Sequence, residues 1–264
     1  MNIGIYTRRQ DDAETMRSIE QLVEAMHQRG LHTETVADRL PDSPIDFLLS
    51  VGGDGTLLSS LHIVGRSDIP VAGINFGHLG FLTTAGRDDI HSLVDSLAEG
   101  RYTIERRTLL DIEAGDIHTI ALNEAVLHRS IDSEILRTGV YVGDELVGTY
   151  AGNGVIVATP TGSTAYSLSC GGPILTPDCG CFVVTPIAAH TLTLRPIIVP
   201  DSAVIRLSTD SEHAEMHLSL DSRQYHVRGG QPITLRKADF AVRLVRMPEQ
   251  TFFTAIRQKL MWGR

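Results

Sequence analysis

A chain of 264 residues, 42% hydrophobic and 21% charged, has the composition of a folded globular protein and room for one large domain or two ordinary ones. Its formal net charge of −9, with no dense Lys/Arg run, argues against nucleic acid, since a phosphate polymer needs a basic face. No apolar run approaches the ~20 residues of a membrane helix, and Met1 to Tyr6 leads into charge with no signal peptide. Three cysteines (Cys170, Cys179, Cys181) suit neither a disulfide framework nor a zinc site, so inert thiols in a reducing cytoplasm are expected. No membrane partner is expected.

Ile3 and Ile5 alternate as a short first strand, and Met16, Ile19, Leu22, Val23 and Met26 recur at helical spacing up to Gly30. Residues 31–36 form a poorly patterned second strand. Pro41 and Pro44 break the chain before a buried strand at 45–51, which a helix follows. Residues 69–74 make the next strand and lead into a glycine-rich turn, Asn75 to Leu82; Ile90, Leu93, Val94 and Leu97 then form a helix ended by Gly100. This order of strands and helices is that of an open, Rossmann-like α/β sheet. After Gly100 the period falls to two, over 102–112, 117–127, 134–142, 146–150, 154–159, 181–187, 203–208, 216–220, 232–236 and 240–246. The pattern predicts an all-β second domain of layered sheets. A last segment, 249–262, carries Phe252, Phe253, Ile256 and Leu260 at helical spacing and is expected to return to the first domain. The expected division is therefore 1–100, completed by 249–264, and 101–248.

Two stretches carry chemistry. In the first, Val51-Gly52-Gly53-Asp54-Gly55-Thr56-Leu57-Leu58, three glycines within four residues join strand to helix. Such a turn lets backbone N–H groups approach an anion at the positive end of the helix. An Asp there is wrong for simple anion binding. It makes sense if the carboxylate takes a proton from an attacking hydroxyl or holds magnesium against phosphates. A bare turn with Asp54 as helix cap is the plainer alternative.

The second stretch, Gly152 to Gly172, is dense in small and hydroxyl residues. A strand ends at Thr159-Pro160, and Ser163 is placed to cap a short helix from Thr164. Hydroxyls with Tyr166 as a stacking face suit a flat polar ring such as a nucleobase; equally, the hydroxyls satisfy backbone groups of a turn. Asn123-Glu124 interrupts an apolar run, where a polar pair needs partners if buried, or else lies at a strand edge or bulge facing solvent. A P-loop and a Gly-x-Gly-x-x-Gly opening are both absent. The eleven histidines lack ligand spacing.

Gly52-Gly53-Asp54-Gly55-Thr56, the Asn75–Phe81 turn, Asn123-Glu124, Thr159–Gly172, Thr185–Leu192, Arg195-Pro196 and Pro200-Asp201-Ser202 occur in the order seen in the NAD kinase family, which the chain resembles from about Asp46 to its last helix. The Gly-Gly-Asp-Gly-Thr motif also resembles one in lipid kinases. The Thr159–Tyr166 run together with Asn123-Glu124 singles out NAD kinases. The resemblance implies transfer of the γ-phosphoryl group of ATP to the 2′-hydroxyl of the adenosine ribose of NAD. Asp54 then matches the proton acceptor, and Gly52, Gly53, Gly55 and Thr56 match the loop at the phosphates. Asn123 and Glu124 match NAD contacts, and Thr164, Ala165, Tyr166 and Ser169 match the surroundings of the adenosine in the β-rich domain. Ala188 resembles a residue offered by a neighbouring subunit. The family implies NAD and ATP as small-molecule partners, a homodimer or homotetramer with sites near subunit boundaries, and a divalent metal, Mg expected, not held by protein ligands alone.

The chain departs from the family pattern at Asn153, where Asp is common, and in Asp221-Ser222, where Asp-Gly is common. Asn153 keeps the shape and one acceptor of Asp without its charge, so its hydrogen bond to a ligand is expected to be weaker. Two other readings stand beside NAD kinase. One is a lipid or sugar kinase, supported by the glycine motif alone; the other is a catalytically silent nucleotide sensor, supported by Asn153 and opposed by Asp54.

Overall fold

The structure is a computed structural model that describes residues 1–76, 80–86, 89–130, 135–209, 215–248 and 250–263. Its contacts divide the chain into two units, 1–106 with 242–264 and 107–241.

In the first unit, strands β1 (Asn2–Tyr6), β2 (His32–Val36), β3 (Phe47–Val51) and β4 (Val71–Ile74) lie parallel in the order β2-β1-β3-β4. β3 and β4 are buried along their whole length, which is why they read as continuous apolar runs. Helix α1 (Ala13–Gln28) is capped by Asp12, whose carboxylate accepts the Thr15 N–H at 3.1 Å. Ile19, Leu22 and Met26 of α1 pack with α3 (Ile90–Ala98) and with Ile3, Leu49 and Ile74 in one core. Helix α2 (Asp54–Val64) follows β3 through the Gly52-Gly53 turn.

The second unit holds two antiparallel layers. The strands are β5 (Thr103–Ala114, entering from the first unit), β6 (Ile117–Ala121), β7 (Glu124–Arg129), β8 (Leu136–Val142), β9 (Glu145–Gly152), β10 (Gly154–Ala158), β11 (Cys181–Ile187), β12 (Ile197–Pro200), β13 (Ile205–Thr209), β14 (Glu215–Leu220), β15 (Arg223–Arg228) and β16 (Ile233–Arg246, whose last residues belong to the first unit). One sheet runs β12-β11-β10-β7-β14-β15. In the other, β9, β8, β13 and β16 follow one another, and β5 pairs with β16 and β6. Leu127, Val155, Phe182 and Leu218 from the first sheet meet Leu110, Val140, Leu207 and Leu235 from the second in a core of fully buried side chains. Helix α4 (Tyr166–Ser169) is a single turn after the 3-10 segment Gly162–Thr164. Helix α5 (Phe252–Lys259) belongs to the first unit and is shorter than the apolar spacing predicts, with Thr251 as its cap.

The elements differ from the sequence pattern at several places. The run 117–127 is two strands, because the N–H groups of Leu122, Asn123 and Glu124 bond the Asp221 carboxylate. The two short strands expected at 232–236 and 240–246 are the single strand β16, and β12 and β15 lie at the two edges of their sheet. Gly77, His78 and Leu79 of the second glycine turn, Glu134 and Glu249 lie outside the described residues.

Candidate nucleotide site

Asp54 is the first residue of α2, and its carboxylate does not cap that helix. It turns to the 80–83 loop instead. The Phe81 N–H donates to Oδ2 at 2.8 Å, and those of Leu82 and Thr83 donate to Oδ1 at 3.2 and 3.3 Å. Gly80 makes this possible, since a Cβ at that position would overlap the Asp54 carboxyl group. The loop is braced in turn. The Gly80 N–H donates to Thr83 Oγ1 at 2.6 Å, and buried Arg246 donates to the Phe81 carbonyl at 3.2 Å while pairing with Glu105 at 3.0 Å. The carboxylate is thus fixed in direction by three N–H donors of its own unit, a precondition for acting on one oxygen of a ligand. The cap reading of Asp54 is thereby corrected. Gly53 is the N-cap, with no side chain to bond, and the Gly55 backbone is open to solvent, with no atom within 4 Å of an added Cβ. Gly52 donates its N–H to the Ile74 carbonyl at 2.7 Å, and Thr56 is buried in the first turn of α2.

The second unit repeats the device. The Asp221 carboxylate accepts N–H groups of three consecutive residues, Leu122 at Oδ2 (2.9 Å) and Asn123 and Glu124 at Oδ1 (2.8 and 3.2 Å). Thr159 Oγ1 donates to the Leu122 carbonyl at 2.5 Å, and the Asn123 carbonyl accepts the Thr159 N–H at 2.9 Å. Gly162 passes so close to the Asn123 backbone that any side chain there would collide with its carbonyl. Asn123-Glu124 is therefore the tightly held join between β6 and β7, not a solvent-facing bulge.

Glu124 is 8% exposed, and its Oε2 has no hydrogen-bond partner. Burial, the neighbouring Asp221 charge and a single opposing donor, the Tyr166 N–H, leave its carboxyl pushed up to about 8. Glu124, Val126 and His128 alternate on one face of β7, and this face, with Ser219 and Ile187, lines a cavity of about 500 Å³. Asn153, Arg129, Ser130, Tyr166 and Asp221 complete the lining. The volume lies within the usual range for small-molecule sites. Glu124 and Asp221 lie at one end of this lining and His128 farther along it, and register sets His217 opposite both His128 and His226. Their rings lie 5.4 and 4.4 Å apart between centroids, and burial beside His217 pushes His128 down, so that it is neutral at pH 7.

Of the residues read from sequence, Glu124, Asn153 and Tyr166 line this one cavity. Asn153 Oδ1 accepts from Arg129 Nε at 3.1 Å. Tyr166 stands 45% exposed, available as a stacking face. Thr164, Ala165 and Ser169 belong to the same hydroxyl-rich loop, and Ala188, exposed at the end of β11, holds a left-handed φ of 44°. Ser163 is not a helix cap: buried, it ties the loop to Leu175, accepting the Leu175 N–H at 3.0 Å and donating to the Pro160 carbonyl at 2.7 Å. His128, Arg129, Ser219 and Asp221 were not legible as site residues. The period-two alternation Glu124, Val126, His128 is the one signal that would have placed His128 on the same face.

Among the described residues, Asp111, Glu113 and His118 are the one cluster with enough ligand atoms close together, and Arg236 pairs with both carboxylates there.

The chain is a protein of two units, one an open α/β sheet with a braced aspartate and the other a layered β unit that carries a cavity of small-molecule size. Family models for the ATP-NAD kinase N-terminal domain and C-terminal domain match residues 4–102 and 122–247. The NAD kinase of Flavobacterium psychrophilum is 41% identical over 228 residues, covering 84% of this chain and 78% of that protein. The NAD kinase of Christiangramia forsetii is 33% identical over 290 residues, covering 100% and 98%. An NAD kinase from Archaeoglobus fulgidus in complex with ATP shares the fold with a TM-score of 0.81, 25% identity and 99% coverage of each chain. Yeast NADH kinase complexed with NADH shares it with a TM-score of 0.88, 24% identity and coverage of 100% of this chain and 88% of that one. The chain belongs to the NAD kinase family.

Proposed function

We infer that this chain is an NAD kinase, a phosphotransferase that moves the γ-phosphoryl group of ATP to the 2′-hydroxyl of the adenosine ribose of NAD. The family assignment and the cavity bounded by Glu124, Asn153 and Tyr166 support the reading, and the lipid- or sugar-kinase alternative has only the glycine motif in its favour. In the reaction the ribose 2′-oxygen forms a bond to the γ-phosphorus as the bond to the β-phosphate bridging oxygen breaks, leaving ADP and NADP. A ribose hydroxyl is a poor nucleophile at neutral pH, so in-line positioning supplies most of the acceleration. Asp54 is the proton acceptor for that hydroxyl in this reading, and its three N–H donors support it by fixing the carboxylate's direction. The Gly52, Gly53, Gly55 and Thr56 segment at the α2 N-terminus suits the phosphates. A divalent metal, Mg by expectation, arrives bound to the ATP phosphates as part of that substrate.

Asn123, Glu124, Asn153, Thr164, Ala165, Tyr166 and Ser169 are assigned to NAD, with Tyr166 stacking on its adenine. Ala188, exposed and in a left-handed conformation, suits contact with a second copy in a dimer or tetramer. The deciding assay follows NADP formation from NAD with ATP or polyphosphate as donor, beside NADH, diacylglycerol and fructose 6-phosphate as acceptors. NADP is the expected product. Phosphorylated lipid or sugar with no NADP would overturn the assignment, and tight NAD binding without turnover under any donor or metal would favour a silent sensor.

A further inference from the structure

Asp221 lies in neither motif stretch, yet three consecutive N–H groups converge on its carboxylate. It does so from a φ of 51°, a left-handed conformation unfavourable for a non-glycine residue, so the surrounding bonds hold it there. Its own N–H returns to the Glu124 carbonyl at 3.2 Å, closing a ring between the β14–β15 turn and the start of β7.

Two carboxyl groups thus face each other at one end of the cavity with unequal support. Asp221 has three N–H donors and the guanidinium of Arg223, which is itself anchored on the Ile120 carbonyl at 2.6 Å and Thr119 Oγ1 at 2.8 Å. Glu124 has one donor, the Tyr166 N–H, and an Oε2 with none. Burial raises both carboxyls; the donors and Arg223 pull Asp221 back, so the pair's proton belongs on Glu124. The remaining charged and titratable groups of the cavity, His128 and Arg129, stand farther along β7, and Tyr166 contributes its N–H. An ionised Glu124 would leave a buried, unpartnered charged oxygen, which is costly; a protonated one carries an O–H that needs an acceptor.

We propose that Asp221 is a positioning residue for the dinucleotide: it clamps the 122–124 backbone and keeps Glu124 in its acid form, so that Glu124 meets the ligand as a hydrogen-bond donor. The identity of the ligand as NAD rests on the NAD kinase reading; the protonation of Glu124 does not. NAD binding is then linked to a proton. Ligand oxygens or ring nitrogens that accept suit the Oε2 position, and ligand groups that only donate do not.

The test uses the full chain and two readouts. Carbon-13 carboxyl spectra of the ligand-free protein, assigned with Glu124→Gln, report the proton directly. Glu124 should stay protonated at pH 7 and titrate at about 8. Titration in the ordinary carboxylate range would overturn the proposal whatever the enzyme does. Calorimetry with NAD between about pH 6 and about pH 9.5 supplies the second readout. Wild-type affinity should fall about tenfold per pH unit above the Glu124 transition, and Glu124→Gln should bind with an affinity independent of pH. Asp221→Asn keeps one acceptor oxygen and turns its amide donor toward a backbone N–H. It should raise the KM for NAD about tenfold or more, change kcat by less than about threefold, and shift the pH limb downward. Equal losses in KM and kcat with the limb unmoved would reduce Asp221 to a structural residue. Should Asp221→Asn not fold, the carboxyl spectra and Glu124→Gln still decide. Absence of NADP formation by the wild type would instead sink the functional reading and leave the spectra standing.

Discussion

The Asp54 carboxylate fills the space in which a side chain at residue 80 would lie, so that Gly80 is what allows Asp54 to reach the N–H groups of Phe81, Leu82 and Thr83. Replacing Gly80 by Ala forces one of them to move. The backbone there is braced by Thr83 and Arg246, so the carboxylate is the part that gives way. Gly80→Ala should lower kcat by about 10²-fold through misplacement alone, with NAD affinity nearly unchanged. Steady-state kinetics beside isothermal titration with NAD checks this.

Asp54→Asn tests the proton acceptor itself. The amide has one acceptor oxygen for three N–H donors, so at least one donor faces an NH2 group and the 80–83 loop loses about 1–3 kcal/mol. Turnover should fall by about 10²–10⁴-fold while NAD binding persists. Full turnover in a folded variant would remove Asp54 from the chemistry.

Stability should depend on pH through Glu124. The unfolded chain loses this proton near 4.5, and the folded protein keeps it to about 8. Between those values the folded state binds a proton that the unfolded state lacks. The contribution is therefore complete below pH 4.5 and declines as pH rises, by up to about 1.4 kcal/mol per unit, until it levels off at about 8. Denaturant unfolding across that window should show the decline, and Glu124→Gln should remove it. Asp221, raised by burial, contributes with the same sign.

Asn153→Asp would turn the hydrogen bond from Arg129 into an ion pair. The site is exposed, so the stability gain should stay within about 1 kcal/mol. If the residue receives a donor group of the ligand, the KM for NAD should fall several-fold. An unchanged KM would remove residue 153 from ligand recognition.

Much of this was readable from residues alone, and the limits have identifiable causes. The strand, turn and helix at 47–64 follow from a buried apolar run, glycines and Leu57, Leu58, Leu61 and Val64 at helical spacing, all local signals. The break between Ala121 and Glu124 has no local signal, because the carboxylate that takes its N–H groups comes from Asp221, nearly a hundred residues later. Edge strand β15 alternates half-buried with exposed residues and buries none fully, so its pattern is faint. His128, His217 and His226 share no spacing in sequence; strand register makes them neighbours. Asp54 itself was legible, but its orientation was not, since the loop it bonds is anchored by Arg246 from the far end of the chain.

The Ser163 hydroxyl, bonded to Leu175 across the neck of the hydroxyl-rich loop, has a mechanical effect on Thr164, Ala165, Tyr166 and Ser169. Those four residues sit on a cassette latched at both ends, so they shift together or not at all. Unlatching it should cost the protein its grip on the base in one step, with no gradual loosening, and should free the Tyr166 amide from Glu124 at the same moment.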